Sequence, residues 1–223
     1  MYNCLTEFLL LKNVFKRYDK NIVPVNNITV SFEKNRFYAI KGKSGAGKST
    51  WLHTLTLLET IDKGKIYFEG KDITNLNETE ANNYRRDKIG FIFQSGFLNS
   101  DFTAKENIML PMLLNMDLAS AEKRALELLG KVGLADRKNH YIKKLSGGEQ
   151  QRIAIARAFA NEPDCIIADE PTGNLDEENE KIIFELFRQY SSNEKCVICV
   201  SHSNIIEQYA DITYVYKKGE LIL

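Results

Sequence analysis

Short apolar runs alternate along this chain with longer stretches in which apolar residues recur every three or four positions. The apolar runs predict β-strands, and the longer stretches predict helices. The predicted strands cover residues 5–14, 28–32, 37–40, 65–68, 89–93, 164–168 and 195–200, with a closing hairpin at 212–216 and 220–223. The predicted helices cover residues 49–58, 78–88, 104–114, 120–132, 148–161, 177–190 and 204–209. Strands that alternate with helices favour an α/β fold whose mainly parallel sheet is covered on both faces.

Only helical patterns occur between about residues 96 and 146, and Pro111 interrupts the first of them. We interpret this segment as an inserted α-helical subdomain of a single domain that spans residues 1–223. The core of that domain then consists of residues 1–95 and 147–223. Before the insertion, residues 69–72 predict a turn, and Asn75 or Asn77 is the predicted cap of the helix at 78–88.

A glycine-rich loop follows the predicted strand at 37–40 and precedes a predicted helix. It reads Gly42-Lys43-Ser44-Gly45-Ala46-Gly47-Lys48-Ser49-Thr50 and fits the phosphate-binding pattern G-x-x-x-x-G-K-[ST]. Glycines let backbone N–H groups turn inward around a phosphate, and the helix N-terminus adds unpaired donors and partial positive charge. Lys48 can then reach the β- and γ-phosphates, and the Ser49 hydroxyl can coordinate Mg²⁺.

Polar residues stand at the carboxyl ends of three further predicted strands, where a parallel sheet binds its ligand. Asp169 is the predicted Mg²⁺ ligand and Glu170 the predicted general base for an attacking water. The amide of Gln94 can touch the metal and the water, and His202 can donate a hydrogen bond to the γ-phosphate. Taken alone, each of these residues also fits a solvated strand end or a structural role, and the phosphate loop favours the catalytic interpretation.

A second anion-binding segment, called the second cradle below, reads Leu145-Ser146-Gly147-Gly148-Glu149-Gln150. Two glycines before a predicted helix expose backbone N–H groups beside a serine hydroxyl. One ATP does not need two such cradles in one chain. The second cradle is explained if it closes over the nucleotide bound to another copy of the chain.

The set of motifs, in this order, resembles the ATP-binding cassette (ABC) ATPases over nearly the full chain. The matching segments are the phosphate loop at 42–50, Gln94, the signature segment 145–150, Asp169-Glu170, residues 173–176 and His202. Residues 89–94, 101–108 and 168–176 further resemble the ATPases of bacterial lipoprotein-releasing, macrolide-exporting and antimicrobial-peptide-exporting transporters, with a cell-division ATPase as a close relative. The resemblance implies a mainly parallel sheet core with an antiparallel β part and the inserted helical subdomain.

The resemblance also implies ATP and Mg²⁺ as cofactors and a head-to-tail homodimer that sandwiches two ATP molecules. Lys48 and Ser49 would bind from one subunit, and the segment Ser146-Gly147-Gly148 would bind from the other. Asp176 would link the two sites across the interface. Tyr18 would stack on the adenine, with packing in the core as the alternative.

Composition and charge narrow the function classes. The 223 residues carry 30 basic and 30 acidic side chains, so no strong field indicates nucleic acid as a partner. The first ten residues do not resemble a signal peptide, and the longest apolar stretches fall far short of the roughly 20 residues of a membrane-spanning helix. The expected location is cytoplasmic, peripheral on the inner face of the cell membrane through a permease.

The four cysteines include a C-x-x-C pair, Cys196 and Cys199, which is a pattern of redox or metal sites. The pair lies in an apolar, β-branched run, and residues three apart on a strand point to opposite faces. We therefore predict that both thiols pack in the core.

Three function classes fit an ABC ATPase. In the first class the ATPase drives a membrane permease. In the second it acts in DNA maintenance or translation, and in the third it mechanically regulates a membrane partner without transport. The second class usually carries a coiled coil, zinc modules or two fused cassettes, for which 223 residues leave no room. In the other two classes Gln94 would couple the nucleotide to residues 95–115. Phe97, Leu98, Phe102 and Met109 would either line a groove for a permease helix or pack the helical segment.

Overall fold

The computed structural model describes residues 7–223 and contains ten strands and six α-helices in that range. The strands are β1 (Leu9–Lys16), β2 (Val25–Phe32), β3 (Arg36–Lys41), β4 (Lys63–Phe68), β5 (Lys71–Asp72), β6 (Ile89–Ile92), β7 (Cys165–Asp169), β8 (Cys196–Val200), β9 (Ile212–Lys217) and β10 (Glu220–Ile222). The helices are α1 (Lys48–Leu55), α2 (Glu78–Lys88), α3 (Ala104–Met109), α4 (Leu118–Lys131), α5 (Gly147–Ala158) and α6 (Glu177–Ser191). Short 3₁₀ helices cover Met112–Leu114, Ala135–Arg137, Ile142–Lys144 and Ile205–Gln208.

Two sheets form the β structure. The larger has the strand order β10-β9-β3-β8-β7-β6, and its neighbours from β9 to β6 are all parallel. Only β10, which closes a hairpin with β9, is antiparallel in it. The smaller sheet is antiparallel, with the order β2-β1-β4-β5. The predicted α/β fold, a mainly parallel core with an antiparallel part, is confirmed.

Alternation along the central strands divides the core into two layers. Phe37 and Ala39 of β3 pack on the side of α3, α4, α5 and α6, whereas Tyr38 and Ile40 pack on the side of α1 and the antiparallel sheet. All residues of β7 and β8, and residues 37–40 of β3, are buried because helices or strands cover both faces of the sheet there.

The two cysteines of the C-x-x-C pair follow the same alternation. Cys196 packs on the α1 side and Cys199 on the α6 side, and both are fully buried. Burial raises the pKa of both thiols well above the ordinary value. The predicted core role is confirmed.

Several boundaries differ from the sequence pattern. Helix α1 ends at Leu55 rather than at residue 58, since Thr56 caps it and Leu57 turns to a φ of +56°. The predicted helix at 204–209 is a 3₁₀ turn, because serine hydroxyls ahead of it accept local backbone N–H bonds. The predicted turn at 69–72 contains the short strand β5. The start predicted for the first strand, residues 5 and 6, lies outside the described residues.

Helix α2 has the predicted bounds. Asn77 caps it in a reciprocal pair with Glu80, which decides between the two predicted cap residues. The sequence pattern predicts the start of α2 correctly because a capping box involves only four consecutive residues.

The segment between β6 and α5 is helical, as predicted. Pro111 separates α3 from a 3₁₀ turn, and the buried faces of α3 and α4 join the cluster on one face of the parallel sheet. Of the four apolar groups considered for a groove, Met109 is buried in this cluster and Phe97 is 68% exposed. That residues 96–146 form a separate subdomain stays a prediction. No helix among residues 7–223 has the length and apolarity needed to cross a bilayer.

Candidate functional site

The phosphate loop connects the carboxyl end of β3 to the first residue of α1. Gly47 caps α1 with a φ of +102°, and a Cβ there would lie 2.5 Å from the backbone oxygen of Pro24. Glycine is required at this position both by the backbone conformation and by the close approach of Pro24. The loop is thereby held against the segment that leads into β2.

Lys48 is the first residue of α1 and is only 5% exposed. Its Nζ donates hydrogen bonds to the backbone oxygens of Gly42 (2.8 Å) and Lys43 (3.0 Å). The ammonium group therefore pairs with carbonyl oxygens of the phosphate loop. It can exchange them for phosphate oxygens, so that the buried charge keeps hydrogen-bond partners throughout.

A cavity of about 820 Å³ opens beside the phosphate loop. Its walls are residues 21–24, 42–47 and 215–218. Lys43, Lys217 and Lys218 line it, and no carboxylate among the described residues does. The cavity suits an anionic ligand the size of a nucleoside triphosphate.

The predicted acids and the histidine meet at the same edge of the sheet. Asp169 ends β7 and is 6% exposed. Glu170 follows with a left-handed φ of +48°, and its Oε1 lies 2.9 Å from Nε2 of His202, which follows β8. Because β3, β7 and β8 are parallel neighbours, their carboxyl ends place these groups at the edge that carries the phosphate loop.

Gln94 follows β6, the parallel neighbour of β7, and its side chain is exposed. Helix α5 holds the backbone on either side of it. Gln151 donates to the oxygen of Phe93 (3.4 Å), and Arg157 donates to those of Gly96 (2.8 Å) and Phe97 (2.9 Å). The segment that carries Gln94 is thus tied to the helix that begins at the second cradle.

The second cradle is the N-terminus of α5. Ser146 caps the helix in a reciprocal pair with Glu149, and both Ser146 and Gly147 are exposed. A Cβ on Gly148 would lie 3.3 Å from the side chain of Leu175, so the cradle packs against the segment that ends at Asp176. Asp176 caps α6 by accepting from the backbone N–H of residue 179.

A model of the ABC transporter family matches residues 25–173 of this chain. The chain belongs to that family. It is 38% identical to the lipoprotein-releasing system ATP-binding protein LolD of Aquifex aeolicus, over 98% of this chain and 97% of that protein. It is 42% identical to the macrolide export ATP-binding/permease protein MacB of Bdellovibrio bacteriovorus, over 90% of this chain and 31% of that longer protein.

A solved structure has the same fold. The dimeric ATP-binding cassette MJ0796, in a post-hydrolysis state bound to ADP and Pi, matches with a TM-score of 0.90 and 36% identity over 96% of both chains. The resemblance predicted from the motifs is confirmed. This ABC cassette is the ATP-binding subunit of a transporter, and it hydrolyses ATP.

Tyr18, the predicted adenine-stacking residue, does not line the phosphate-loop cavity of this cassette. Its side chain is 53% exposed, so the alternative of core packing is wrong. The phenol oxygen donates to Glu59 (2.9 Å), and the Lys16 ammonium lies 5.6 Å from the ring centroid. Ile22, which accepts from the Tyr18 backbone N–H, does line the cavity. Stacking of adenine on Tyr18 stays a prediction.

Lys217 and Lys218 are cavity residues that the sequence analysis missed. They lie at the turn of the β9–β10 hairpin, and Gly219 at that turn accepts a hydrogen bond from the backbone of Asn26 (2.7 Å). The dipeptide before a glycine does indicate a charged turn. Only the tertiary structure brings that turn beside the phosphate loop.

Gly47→Ala is expected to lower the free energy of unfolding by about 2–4 kcal/mol, the sum of a left-handed alanine and a clash with Pro24. Gly45→Ala is the matched control, because its φ is +75° and an added Cβ has no described neighbour within 4 Å. The control should lose only about 1 kcal/mol. Urea unfolding followed by the fluorescence of Trp51, the single tryptophan, measures both. An equal loss in the two variants would contradict the steric argument.

Proposed function

We propose that this cassette works as a head-to-tail homodimer that hydrolyses two ATP molecules and thereby drives a membrane permease. The observation that carries the proposal is that one chain presents two separate anion cradles, of which the second is exposed at Ser146 and Gly147. A partner copy would supply the phosphate that the second cradle binds. The dimeric form of the related cassette MJ0796 supports this arrangement.

At each site the phosphate loop, residues 42–50, would hold the triphosphate. Ser49, Gln94 and Asp169 fit a magnesium ion, because hydroxyl, amide and carboxylate oxygens are the hard ligands that it prefers. The bound ion supplies charge neutralisation at the phosphates. Lys48 would move from its two loop carbonyls to the β- and γ-phosphate oxygens.

Glu170 would accept the proton of the attacking water, and His202 would donate a hydrogen bond to the γ-phosphate. The 2.9 Å contact between the two side chains supports these roles, since it orients the carboxylate at the strand ends. As the γ-phosphate enters, His202 would exchange its contact with Glu170 for one with phosphate. The carboxylate then becomes free to bind water.

Asp176 would lie at the dimer interface and connect the two sites, because its segment packs on the cradle at Gly148. Each nucleotide would be bound between the phosphate loop of one copy and residues 146–148 of the other. Gln94 would couple nucleotide binding to α5, because Arg157 of α5 donates to the backbone oxygens of Gly96 and Phe97 just after Gln94.

The permease would anchor the cassette at the inner face of the membrane. We infer a role in export or extraction of a peptide, lipoprotein or drug, supported by the likeness to LolD and MacB. The exposed Phe97 is the side chain best suited to contact the permease, whereas Met109 belongs to the core. The alternative is a cassette that mechanically regulates a membrane partner without transport.

Ser146→Arg is expected to leave ATP binding to the monomer intact and to weaken ATP-dependent dimerisation at least about tenfold, because a buried mismatch at an interface centre costs more than 1 kcal/mol. Ser192→Arg, at the exposed C-terminal end of α6, is the matched control and should dimerise normally. Sedimentation velocity with ATP measures both. Normal dimerisation of the Ser146 variant would argue against the sandwich.

The partner is tested by affinity purification of the tagged Glu170→Gln chain from native membranes with ATP, read by mass spectrometry. Recovery of a permease with a large extracytoplasmic domain supports export or extraction. Recovery of a cell-wall or division regulator instead supports the mechanical alternative. Recovery of soluble proteins alone contradicts both membrane roles.

A further inference from the structure

An acidic side chain lies directly beside the second cradle. One carboxylate oxygen of Glu149, Oε2, accepts from the backbone N–H of Ser146 (2.8 Å) and from its hydroxyl (2.9 Å). The hydrogen bond from the Ser146 backbone, together with Arg137, lowers the pKa of Glu149 to about 2. Glu149 is therefore ionised at neutral pH.

This arrangement opposes phosphate binding in two ways. The carboxylate repels a γ-phosphate that approaches the same helix N-terminus. It also occupies the single hydroxyl proton of Ser146, which a phosphate oxygen would need as a donor. A cradle with an uncompensated acid would therefore bind the nucleotide of a partner copy poorly.

Arg137 compensates the acid from the opposite side. It lies in the 3₁₀ turn Ala135–Arg137, and its Nε donates to the other oxygen of Glu149, Oε1, at 2.9 Å. Its Nη1 donates to Asp136 at 2.7 Å, which aligns the guanidinium. Arg137 thus contacts the carboxylate without occupying the oxygen that faces Ser146.

We propose that Arg137 is a positioning residue that neutralises Glu149, so that the Ser146 hydroxyl can turn to the γ-phosphate of the partner copy's ATP. This inference rests on the proposed homodimer. As phosphate arrives, the Ser146 hydroxyl exchanges Glu149 Oε2 for a phosphate oxygen, and the carboxylate keeps its ion pair with Arg137. A two-fold dimer contains this cradle twice, so a defect acts at both nucleotide sites of the interface.

The test measures ATP-dependent dimerisation in a Glu170→Gln background, in which turnover does not disperse the dimer. Arg137→Ala is expected to raise the dimer dissociation constant by about tenfold or more, as the loss of compensation for an interfacial charge does. Arg137→Lys keeps a positive charge beside Glu149, so its dissociation constant should stay within about threefold of that of the Glu170→Gln parent. Adding Glu149→Gln to Arg137→Ala should return the dissociation constant to that of Glu149→Gln alone, because position 149 then carries no charge for Arg137 to compensate.

Two further readouts separate this role from a structural one. Raising NaCl from about 0.05 to about 0.5 M should shrink the Arg137→Ala defect, since the Glu149 carboxylate is partly exposed and salt screens its charge. ATP binding to the monomer, measured by equilibrium dialysis, should be unchanged in all variants. A defect of equal size with and without Glu149→Gln would overturn the proposal and assign Arg137 to packing.

The outcome also distinguishes this inference from the proposed function. If the Glu170→Gln chain forms no dimer with ATP, the homodimer itself is wrong and the inference falls with it. If the Glu170→Gln chain dimerises, and the Arg137→Ala and Arg137→Lys variants dimerise as well as that parent, the homodimer stands and only the role of Arg137 is overturned.

Discussion

Replacing Glu170 with glutamine is expected to lower ATP turnover by about 10²–10⁴-fold while ATP still binds, because an amide cannot take the proton of the attacking water. The substitution keeps the shape of the side chain, and the amide oxygen can still accept from His202 across the 2.9 Å contact. The left-handed backbone of Glu170 is equally accessible to glutamine. The variant should therefore fold normally and fail only in the chemical step.

Phosphate release measures the turnover of the Glu170 variant, and equilibrium dialysis measures its affinity for ATP. Glu178→Gln is the matched control, since it removes an exposed carboxylate from the first turn of α6 close by in the chain. The control should change turnover less than about twofold, as surface substitutions usually do. Full turnover in the Glu170 variant would exclude its role as general base.

Lys48→Ala is expected to weaken ATP binding about 100-fold, or about 3 kcal/mol, the contribution of a strong charge-assisted hydrogen bond to phosphate. The side chain is 5% exposed and lies against the loop carbonyls of Gly42 and Lys43, so its charge acts in a site largely shielded from water. The loss falls on binding itself, which sets it apart from the Glu170 variant.

Lys43→Ala provides the comparison for Lys48. Lys43 lies in the same loop but is exposed, so solvent screens its charge, and a loss of less than about fivefold is expected. Equilibrium dialysis with ATP gives both affinities, and urea unfolding checks that the variants are folded. An unchanged affinity after Lys48→Ala would mean that the loop binds phosphate through its backbone alone.

Local features of this protein followed from a few neighbouring residues. The phosphate loop was recognisable from its glycines, Lys48 and Ser49, because each has a function within nine residues of chain. The cap of α2 at Asn77 and the opposite faces of Cys196 and Cys199 were likewise predictable, since a capping box and a strand repeat are short-range patterns.

Other features depended on segments far apart in the chain. The contact of Glu170 with His202 requires β7 and β8 to be neighbours, and the lysines at 217–218 reach the cavity only because β9 pairs with β3. The pairing of Arg137 with Glu149 requires the turn after α4 to pack on the start of α5.

The sequence by itself thus determined which chemical groups are present and which local backbone presents them, because hydrogen bonds within a turn or a helix cap involve only nearby residues. The tertiary structure alone decided which of those groups meet. Strand order and helix packing depend on the burial of apolar faces over the whole chain, and no local pattern encodes them.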